Sequence, residues 1–213
     1  KPLLRYRLVY CRHASDVNTD CKSTWFRRMA YQLFRGTFGL LLKSAADHIV
    51  AVGEHEKTML VRELSLESDG VEILRLGTPL ADLEFDRVVR KRERLRLGFD
   101  DDDVVLLHTG TLTPRKRLHD LVEAVARLHS LNGAIKLLVV GGGDSEYIEA
   151  AQVLARTYGL EGHTIITGRF VDKSELLRYY AAADIGVWPG VYSIATLEAM
   201  ASGLPLIVRA NDA

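Results

Sequence analysis

The chain has 213 residues, of which 47% are hydrophobic and 26% charged, a composition that excludes a disordered protein. Its formal net charge is +0, but residues 1–50 hold nine Lys/Arg against three Asp/Glu, so a basic surface is expected at one end only. The two cysteines, Cys11 and Cys21, are too few and too closely spaced for a disulfide framework, and the apolar runs are shorter than the roughly 20 residues that span a bilayer.

The first part of the chain alternates short apolar runs with segments of helical period, which is typical of an α/β protein with a parallel sheet. The predicted strands and helices are Arg5–Tyr10, Thr24–Ala46, His48–Val52, Glu54–Glu63 and Val71–Leu74. Three strands alone leave the faces of a sheet without neighbours. We therefore expect residues 1–80 to be the C-terminal portion of one Rossmann-like domain, and the chain to be cut at both ends.

The predicted helix Trp25–Ala45 has two unlike faces. One face combines basic with large apolar residues, namely Arg28, Tyr31, Arg35, Phe38, Leu42 and Lys43. The other face is the predicted core side, with Phe26, Met29, Ala30, Leu33, Thr37, Leu40 and Leu41. Cations and aromatic rings on one exposed face are typical of a helix that lies on a membrane surface. A helix buried on two sides gives the same pattern, and both interpretations stay open.

Residues 81–102 are rich in charge and poor in aliphatic residues, and we interpret them as a linker or domain junction. From residue 103 a second alternating set follows. Its predicted elements are Val104–His108, Leu118–Ser130, Ile135–Val140, Ser145–Tyr158, Thr164–Thr167, Ser174–Ala182, Ile185–Trp188, Ile194–Ala201 and Leu206–Val208. Residues 103–213 should form most of a second Rossmann-like domain, with its ligand site beyond the carboxyl ends of the strands.

Glycine-containing turns follow the first two strands of this second set. In the first turn, Gly110 lets the backbone approach a ligand, and Lys116 places a cation at a helix entrance, which suits a phosphate. The flanking arginines are also typical of a solvated turn. In the second turn, Gly141–Gly143 lack the third glycine of a dinucleotide fingerprint, because position 146 is Glu146. A nicotinamide cofactor is therefore not expected.

The most informative segment, Ala182–Pro205, predicts strand, loop, short helix and strand, with Ser193 as the helix N-cap. Glu198 lies one turn into that helix, where a carboxylate indicates a ligand or support of the helix's own first turns. The run from Leu197 to Pro205 resembles the motif of the large group 1 family of retaining GT-B glycosyltransferases, of the family 4 type. Further ordered matches lie at Ala45–Val50, Leu76–Pro79, Gly110–Lys116, Val139–Gly143, Gly168–Val171 and Tyr180–Ile185.

This resemblance implies a site for a nucleoside-diphosphate sugar in a GT-B-like fold. Lys116 would grip the diphosphate, Glu198 the ribose hydroxyls, and His13 would face the donor sugar, which makes Lys116 and His13 the implied catalytic residues. The backbone at Ile194 and Ala195 would face a phosphate, and the loop of Arg169, Phe170 and Val171 would read the base. Further donor contacts are implied at Gly110, Thr111, Gly142, Gly190 and Ser193.

Two positions depart from the family pattern: Thr111 stands in place of an arginine, and Gly190 replaces the first of two glutamates. The expected function is retaining transfer of a hexose from a UDP- or GDP-sugar to a hydroxyl of a glycan, polysaccharide or lipid-linked acceptor. No cofactor, essential metal or nucleic-acid partner is expected, and the location is cytoplasmic or peripheral at the inner face of a membrane. The alternative is a non-catalytic nucleotide- or glycan-binding module. Residues 1–213 alone are expected to bind nucleotide without transferring sugar.

Overall fold

A computed structural model describes residues 9–12, 29, 33, 37, 40–41, 44–75, 77–78, 86–191 and 193–210. The chain divides into two compact units, Lys1–Leu76 and Gly77–Ala213, and each contains a parallel β-sheet with helices between its strands. The predicted α/β class is therefore confirmed.

The first unit has a three-stranded parallel sheet in the order β1-β2-β3, formed by β1 (Val9–Arg12), β2 (His48–Ala51) and β3 (Val71–Ile73). Helix α1 (Glu54–Leu64) packs on β2 and β3. The core of this first unit is aliphatic and consists of Ile49, Ala51, Leu60, Leu64, Leu66 and Val71. Residues 5–8 of the first predicted strand lie outside the described residues.

The predicted helix Trp25–Ala45 is described only in part, at seven positions that are all helical: Met29, Leu33, Thr37, Leu40, Leu41, Ser44 and Ala45. Its basic residues lie outside the described set. Met29, Leu33, Leu40 and Leu41 are 50%, 71%, 70% and 62% exposed. These four residues of the predicted core side are therefore exposed in this chain, where no described element covers them, and both interpretations of the helix stay predictions. Within the described part of the chain, no helix is both long and apolar enough to cross a membrane.

The second unit has a five-stranded parallel sheet in the order β6-β5-β4-β7-β8. Its strands are β4 (Val104–Thr109), β5 (Ile135–Val140), β6 (Thr164–Ile166), β7 (Ile185–Trp188) and β8 (Leu206–Val208). Its helices are α2 (Arg87–Leu97), α3 (Leu118–His129), α4 (Ser145–Thr157), α5 (Lys173–Ala182) and α6 (Ile194–Ala201). These bounds agree closely with the predicted elements from residue 103 onward.

Apolar clusters cover both faces of this sheet, because successive side chains of a strand point to opposite sides. On one face, Leu106 and Leu137 pack with residues of α3 and α4. On the other face, Leu107 and Leu138 pack with α5 and Trp188. Burial on both faces explains why these strands are continuous aliphatic runs rather than alternating ones.

Helix α2 lies within residues 81–102, the segment interpreted as a linker or junction. It packs on α5 in the second unit, so this part of the segment is a structural element of that unit. Arg94 of α2 is 1% exposed, and its guanidinium is fully used. It donates to the carboxylate of Asp184 and to the carbonyls of Ala182, Asp100, Asp101 and Asp103. Because its buried face is charged, α2 lacks the apolar period that predicts a helix.

Candidate functional site

The candidate site lies where the strand order of the second sheet reverses. After β4 the chain continues to β5 on one side, whereas the later strand β7 pairs with β4 on the other side. The connections that leave β4 and β7 therefore run in opposite directions and open a crevice beyond Thr109 and Trp188. Open α/β sheets bind ligands in such crevices. Most of the site residues predicted from the sequence lie at these two connections.

The connection after β4 places a lysine inside the crevice. It forms one 3-10 turn, Pro114–Lys116, and then Arg117 takes a left-handed conformation (φ 54°) directly before α3. Lys116 is 9% exposed, and its Nζ donates a hydrogen bond to the carbonyl of Val191 at 2.8 Å. Burial lowers the pKa of the Lys116 ammonium, and the nearby charge of Arg115 lowers it further. An ammonium in this setting favours an anionic partner.

The glycine run after β5 packs directly on the connection after β4. A Cβ atom on Gly141 would lie 1.9 Å from the Gly110 carbonyl oxygen, and one on Gly143 would lie 2.2 Å from that of Leu112. Backbone hydrogen bonds join the two segments, including Leu112 N to the Gly142 carbonyl at 2.8 Å. Close backbone packing thus requires the glycines here, and they shape the wall of the crevice.

The N-terminus of α6 meets this wall. A Cβ atom on Gly110 would lie 3.9 Å from Ser193 Oγ and 3.9 Å from Lys116 Nζ. Ser193 is the N-cap of α6, as the sequence predicts, and its backbone N–H donates to Thr196 Oγ1 at 3.4 Å. The first backbone N–H groups of α6 carry the positive end of the helix dipole. Gly110, Lys116, Ser193 and this helix end therefore form a concave, positively polarised surface that suits a phosphate.

Glu198 lies one turn further along α6, in contact with a buried tyrosine. The hydroxyl of Tyr180 on α5 is 3.2 Å from Glu198 Oε2, 3.2 Å from the Ala195 carbonyl oxygen and 3.2 Å from Thr109 Oγ1. Glu198 is partly exposed, whereas Tyr180 is 2% exposed. The carboxylate is thus anchored on the protein side and reaches the crevice from the helix.

The loop after β6 carries the three residues predicted to read a base. The guanidinium of Arg169 is held by the Glu175 carboxylate, at 3.0 and 2.5 Å. Phe170 is 70% exposed, and a Cβ atom on Gly142 would lie 3.0 Å from its ring and its backbone nitrogen. Val171 packs on the core. The loop therefore presents backbone groups and an exposed aromatic ring beside Gly142.

The other predicted residues add no charged side chain to this cluster. Thr111 is exposed in the connection after β4. Gly190 has no room for a side chain, because a Cβ atom there would lie 2.2 Å from the Arg115 carbonyl oxygen. His13 lies outside the described residues, and its role stays a prediction. Among the described residues, no three or more His, Cys, Asp or Glu side chains cluster so as to hold a metal ion.

Sequence reasoning gave no role to two buried polar residues near the site, Tyr180 and His108. His108 is fully buried at the end of β4, and its Nδ1–H donates to the Val187 carbonyl at 2.8 Å. Burial lowers the pKa of His108 to about 4, with a smaller contribution from Lys116. In the sequence, each of these residues is visible only as a histidine or tyrosine within an otherwise apolar segment. Such a pattern does not reveal a hydrogen-bond partner that is distant in sequence.

Comparison with protein families identifies the chain. The family model of Glycosyl transferases group 1 matches residues 89–212, which is more than half of the sequence. The chain belongs to this family. The match begins within α2, so it includes part of the segment interpreted as a linker.

Several curated glycosyltransferases are similar to this chain. An uncharacterised glycosyltransferase of Methanocaldococcus jannaschii is 29% identical over 168 residues, which cover 75% of this chain and 41% of that protein. A D-inositol 3-phosphate glycosyltransferase of Catenulispora acidiphila is 30% identical over 174 residues, with 76% and 40% coverage. The alpha-monoglucosyldiacylglycerol synthase of Streptococcus pneumoniae is 27% identical over 145 residues, with 67% and 31% coverage. The chain thus spans less than half the length of these relatives.

Solved structures show the same fold. HepE of Anabaena, crystallised with UDP, superposes with a TM-score of 0.77 at 18% identity, covering 96% of this chain and 53% of that one. WaaG, a glycosyltransferase involved in lipopolysaccharide biosynthesis, gives a TM-score of 0.70 at 21% identity, with 94% and 55% coverage. The GT-B-like fold expected from the sequence is therefore confirmed.

Proposed function

We propose that this chain provides the donor-binding side of a retaining glycosyltransferase of the family 4 type. The donor is a hexose linked to a uridine or guanosine diphosphate, and the acceptor is a hydroxyl of a polysaccharide, glycan or lipid-linked molecule. One observation carries the proposal: Lys116, Gly110 and the N-terminus of α6 converge at the switch point of the sheet. This is where the fold favours a ligand and where the local charge favours a diphosphate.

The leaving diphosphate gains negative charge as the bond to the sugar breaks. Lys116 and the backbone N–H groups of α6 stabilise that charge in place before the reaction begins, so little reorganisation is needed. On this proposal no metal ion is essential. The anomeric configuration is retained because the acceptor hydroxyl attacks on the same face of the sugar from which the diphosphate leaves. A donor phosphate oxygen accepts the proton of that hydroxyl. His13 remains the proposed residue facing the donor sugar.

The nucleoside lies further along the crevice in this proposal. Glu198 accepts hydrogen bonds from the ribose hydroxyls, and the backbone of Arg169–Val171 contacts the base while the Phe170 ring lies beside it. Two further solved structures of HepE are complexes, one with UDP and glucose and one with UDP-glucose, and they support uridine as the nucleoside of the donor. Exposed rings next to a glycine-lined surface offer a stacking partner for a base.

The acceptor class rests on similarity to named relatives. One of them is an alpha-monoglucosyldiacylglycerol synthase and a structural neighbour acts in lipopolysaccharide biosynthesis, which supports a lipid-linked or polysaccharide acceptor. We place the protein in the cytoplasm, peripherally at the inner face of a membrane. The face of the predicted helix Trp25–Ala45 that combines basic with large apolar residues favours contact with a lipid surface.

A binding module without catalysis is the second candidate. It is favoured by Gly190, where no side chain fits against Arg115, and by Thr111, which supplies no cation. A module that binds a nucleotide uses the same site as the enzyme and differs from it only in turnover, whereas a module that binds a glycan does not need the nucleotide site. Release of free sugar from a radiolabelled nucleotide sugar, or its transfer to lipid or glycan acceptors, would favour the enzyme.

The nucleotide site itself is tested by calorimetric titration of this chain with UDP, GDP and NAD. We expect binding of UDP or GDP with a dissociation constant in the micromolar to millimolar range, and no heat with NAD. If neither diphosphate binds, or if NAD binds more tightly than both, the proposed function is wrong.

A further inference from the structure

The Tyr180 hydroxyl joins three elements behind the crevice. It lies on α5 and is 3.2 Å from Thr109 Oγ1 at the end of β4. It is also 3.2 Å from the Ala195 carbonyl oxygen and 3.2 Å from Glu198 Oε2, both on α6. Since Tyr180 is 2% exposed, solvent does not compete for these hydrogen bonds.

Counting protons in this cluster fixes the direction of its hydrogen bonds. A carbonyl and a carboxylate only accept, and the carboxylate of Glu198 is the stronger acceptor because it is charged, so the single Tyr180 proton is donated to Glu198. The Thr109 hydroxyl then donates to the Tyr180 oxygen, which accepts. Burial raises the pKa of Tyr180, and so does the Glu198 carboxylate, so the phenol keeps the proton that it donates.

The bond to Tyr180 leaves the two carboxylate oxygens of Glu198 unequal. Oε2 is engaged on the protein side, whereas no described residue donates to Oε1. A carboxylate held by one oxygen has a defined plane, and its second oxygen is available to accept from a ligand. Free rotation would otherwise place this oxygen in several directions on the partly exposed helix.

We infer that Tyr180 is a positioning residue for Glu198: its hydroxyl orients the carboxylate so that Oε1 can accept from the ribose hydroxyls of a nucleoside diphosphate. The inference rests on the proposed function, in which Glu198 contacts the ribose. Tyr180 itself does not contact the ligand. Its effect on binding must therefore depend on the presence of both Glu198 and a ribose.

The variant Tyr180→Phe keeps the buried ring and removes the hydroxyl. We expect the affinity for UDP or GDP, whichever the chain binds, to fall about tenfold, because a charged hydrogen bond to the ribose loses its fixed geometry. Inorganic pyrophosphate has no ribose, so its affinity should change less than about twofold. Tyr179→Phe is the matched control, because Tyr179 is a neighbouring tyrosine of α5, 3% exposed, whose hydroxyl donates to Glu175 instead.

A double-mutant cycle then separates positioning from a general effect on the fold. In the Glu198→Ala background, Tyr180→Phe should no longer change nucleotide affinity. An equal loss for pyrophosphate, or an unchanged loss in the Glu198→Ala background, would overturn the positioning role. Thr109→Val offers a second variant if Tyr180→Phe does not fold, and it should show the same ligand pattern with a smaller loss.

The outcomes also distinguish this inference from the proposed function. If Glu198→Ala weakens the nucleotide more than pyrophosphate but Tyr180→Phe does not, only the inference fails. If Glu198→Ala weakens both ligands equally, Glu198 does not contact a ribose. The inference and the ribose assignment then both fail.

Discussion

Lys116 and Val191 connect the two loops of the candidate site, with the lysine ammonium donating to the valine carbonyl at 2.8 Å. The two loops also pack together next to this contact, because Gly190 lies against the backbone of Arg115 and Lys116. The loop after β7 therefore decides where the lysine on the other loop points. This arrangement separates Lys116 from the arginines on either side of it.

Lys116 should be the main diphosphate contact of the three neighbouring cations. Arg115 is exposed, and Arg117 forms an ion pair with Asp120, so neither guanidinium is directed by the second loop. We expect Lys116→Ala to weaken UDP or GDP about ten- to a hundredfold and to flatten the salt dependence of binding. Arg115→Ala and Arg117→Ala should cost less in the same calorimetric assay at fixed ionic strength. A larger loss from either arginine would show that the diphosphate site is built around that residue.

Gly190→Ala should disturb both stability and nucleotide binding. Its Cβ atom would lie 2.2 Å from the Arg115 carbonyl oxygen, so one of the two loops must move. We expect a loss of about 1–3 kcal/mol in the free energy of unfolding, together with weaker binding of UDP or GDP. Gly133→Ala is the matched control, because its Cβ atom would meet only His129, at 3.8 Å. Urea denaturation and calorimetry of both variants test this, and equal behaviour would contradict the steric argument.

Glu198→Ala should weaken a nucleoside diphosphate more than pyrophosphate. The carboxylate is proposed to contact the ribose, which pyrophosphate lacks, and a hydrogen bond to a charged group contributes about 1.5–3 kcal/mol. The expected loss for UDP or GDP is therefore about ten- to a hundredfold. Isothermal titration with both ligands measures the difference. Similar losses for the two would mean that Glu198 only supports its own helix.

His108 should make the fold sensitive to acid. Its pKa is about 4 in the folded chain, against 6.5 for an unperturbed histidine. Between these two pH values the unfolded chain therefore binds a proton that the folded chain does not. Neutral His108 makes its full contribution to the free energy of unfolding above pH 6.5, and this contribution decreases as the pH falls towards 4. A shift of this size predicts a loss of about 2 kcal/mol between about pH 7 and about pH 5.

The variant His108→Asn removes the titrating group and keeps a donor for the Val187 carbonyl. Its stability in urea should change less between these two pH values than that of the unsubstituted chain. His163→Asn is the control, because the pKa of His163 is also lowered but its side chain is only partly buried. If His108→Asn keeps the full pH dependence, other groups cause the acid sensitivity.

The sequence alone predicted most of the fold and the elements that carry the candidate site residues. Aliphatic runs buried on both faces of a sheet, and helices with apolar residues at three- and four-residue spacing, leave a periodic signal that needs no distant contact. The turn Gly110–Lys116 and the helix that carries Glu198 were placed correctly for the same reason. Their positions at strand ends follow from the order of elements along the chain.

The tertiary structure decided the features that depend on contacts between distant segments. Helix α2 was missed because its buried face is charged. Arg94 is stable there only because Asp184 and four carbonyls accept its hydrogen bonds. Two of these partners, Ala182 and Asp184, lie 88 and 90 residues from Arg94 in sequence. Likewise, Tyr180 meets Glu198 and Thr109 only after the sheet has brought β4, α5 and α6 together. A hydrogen bond between segments distant in sequence leaves no periodic trace, so local patterns predict the elements but not the partners of their buried polar groups.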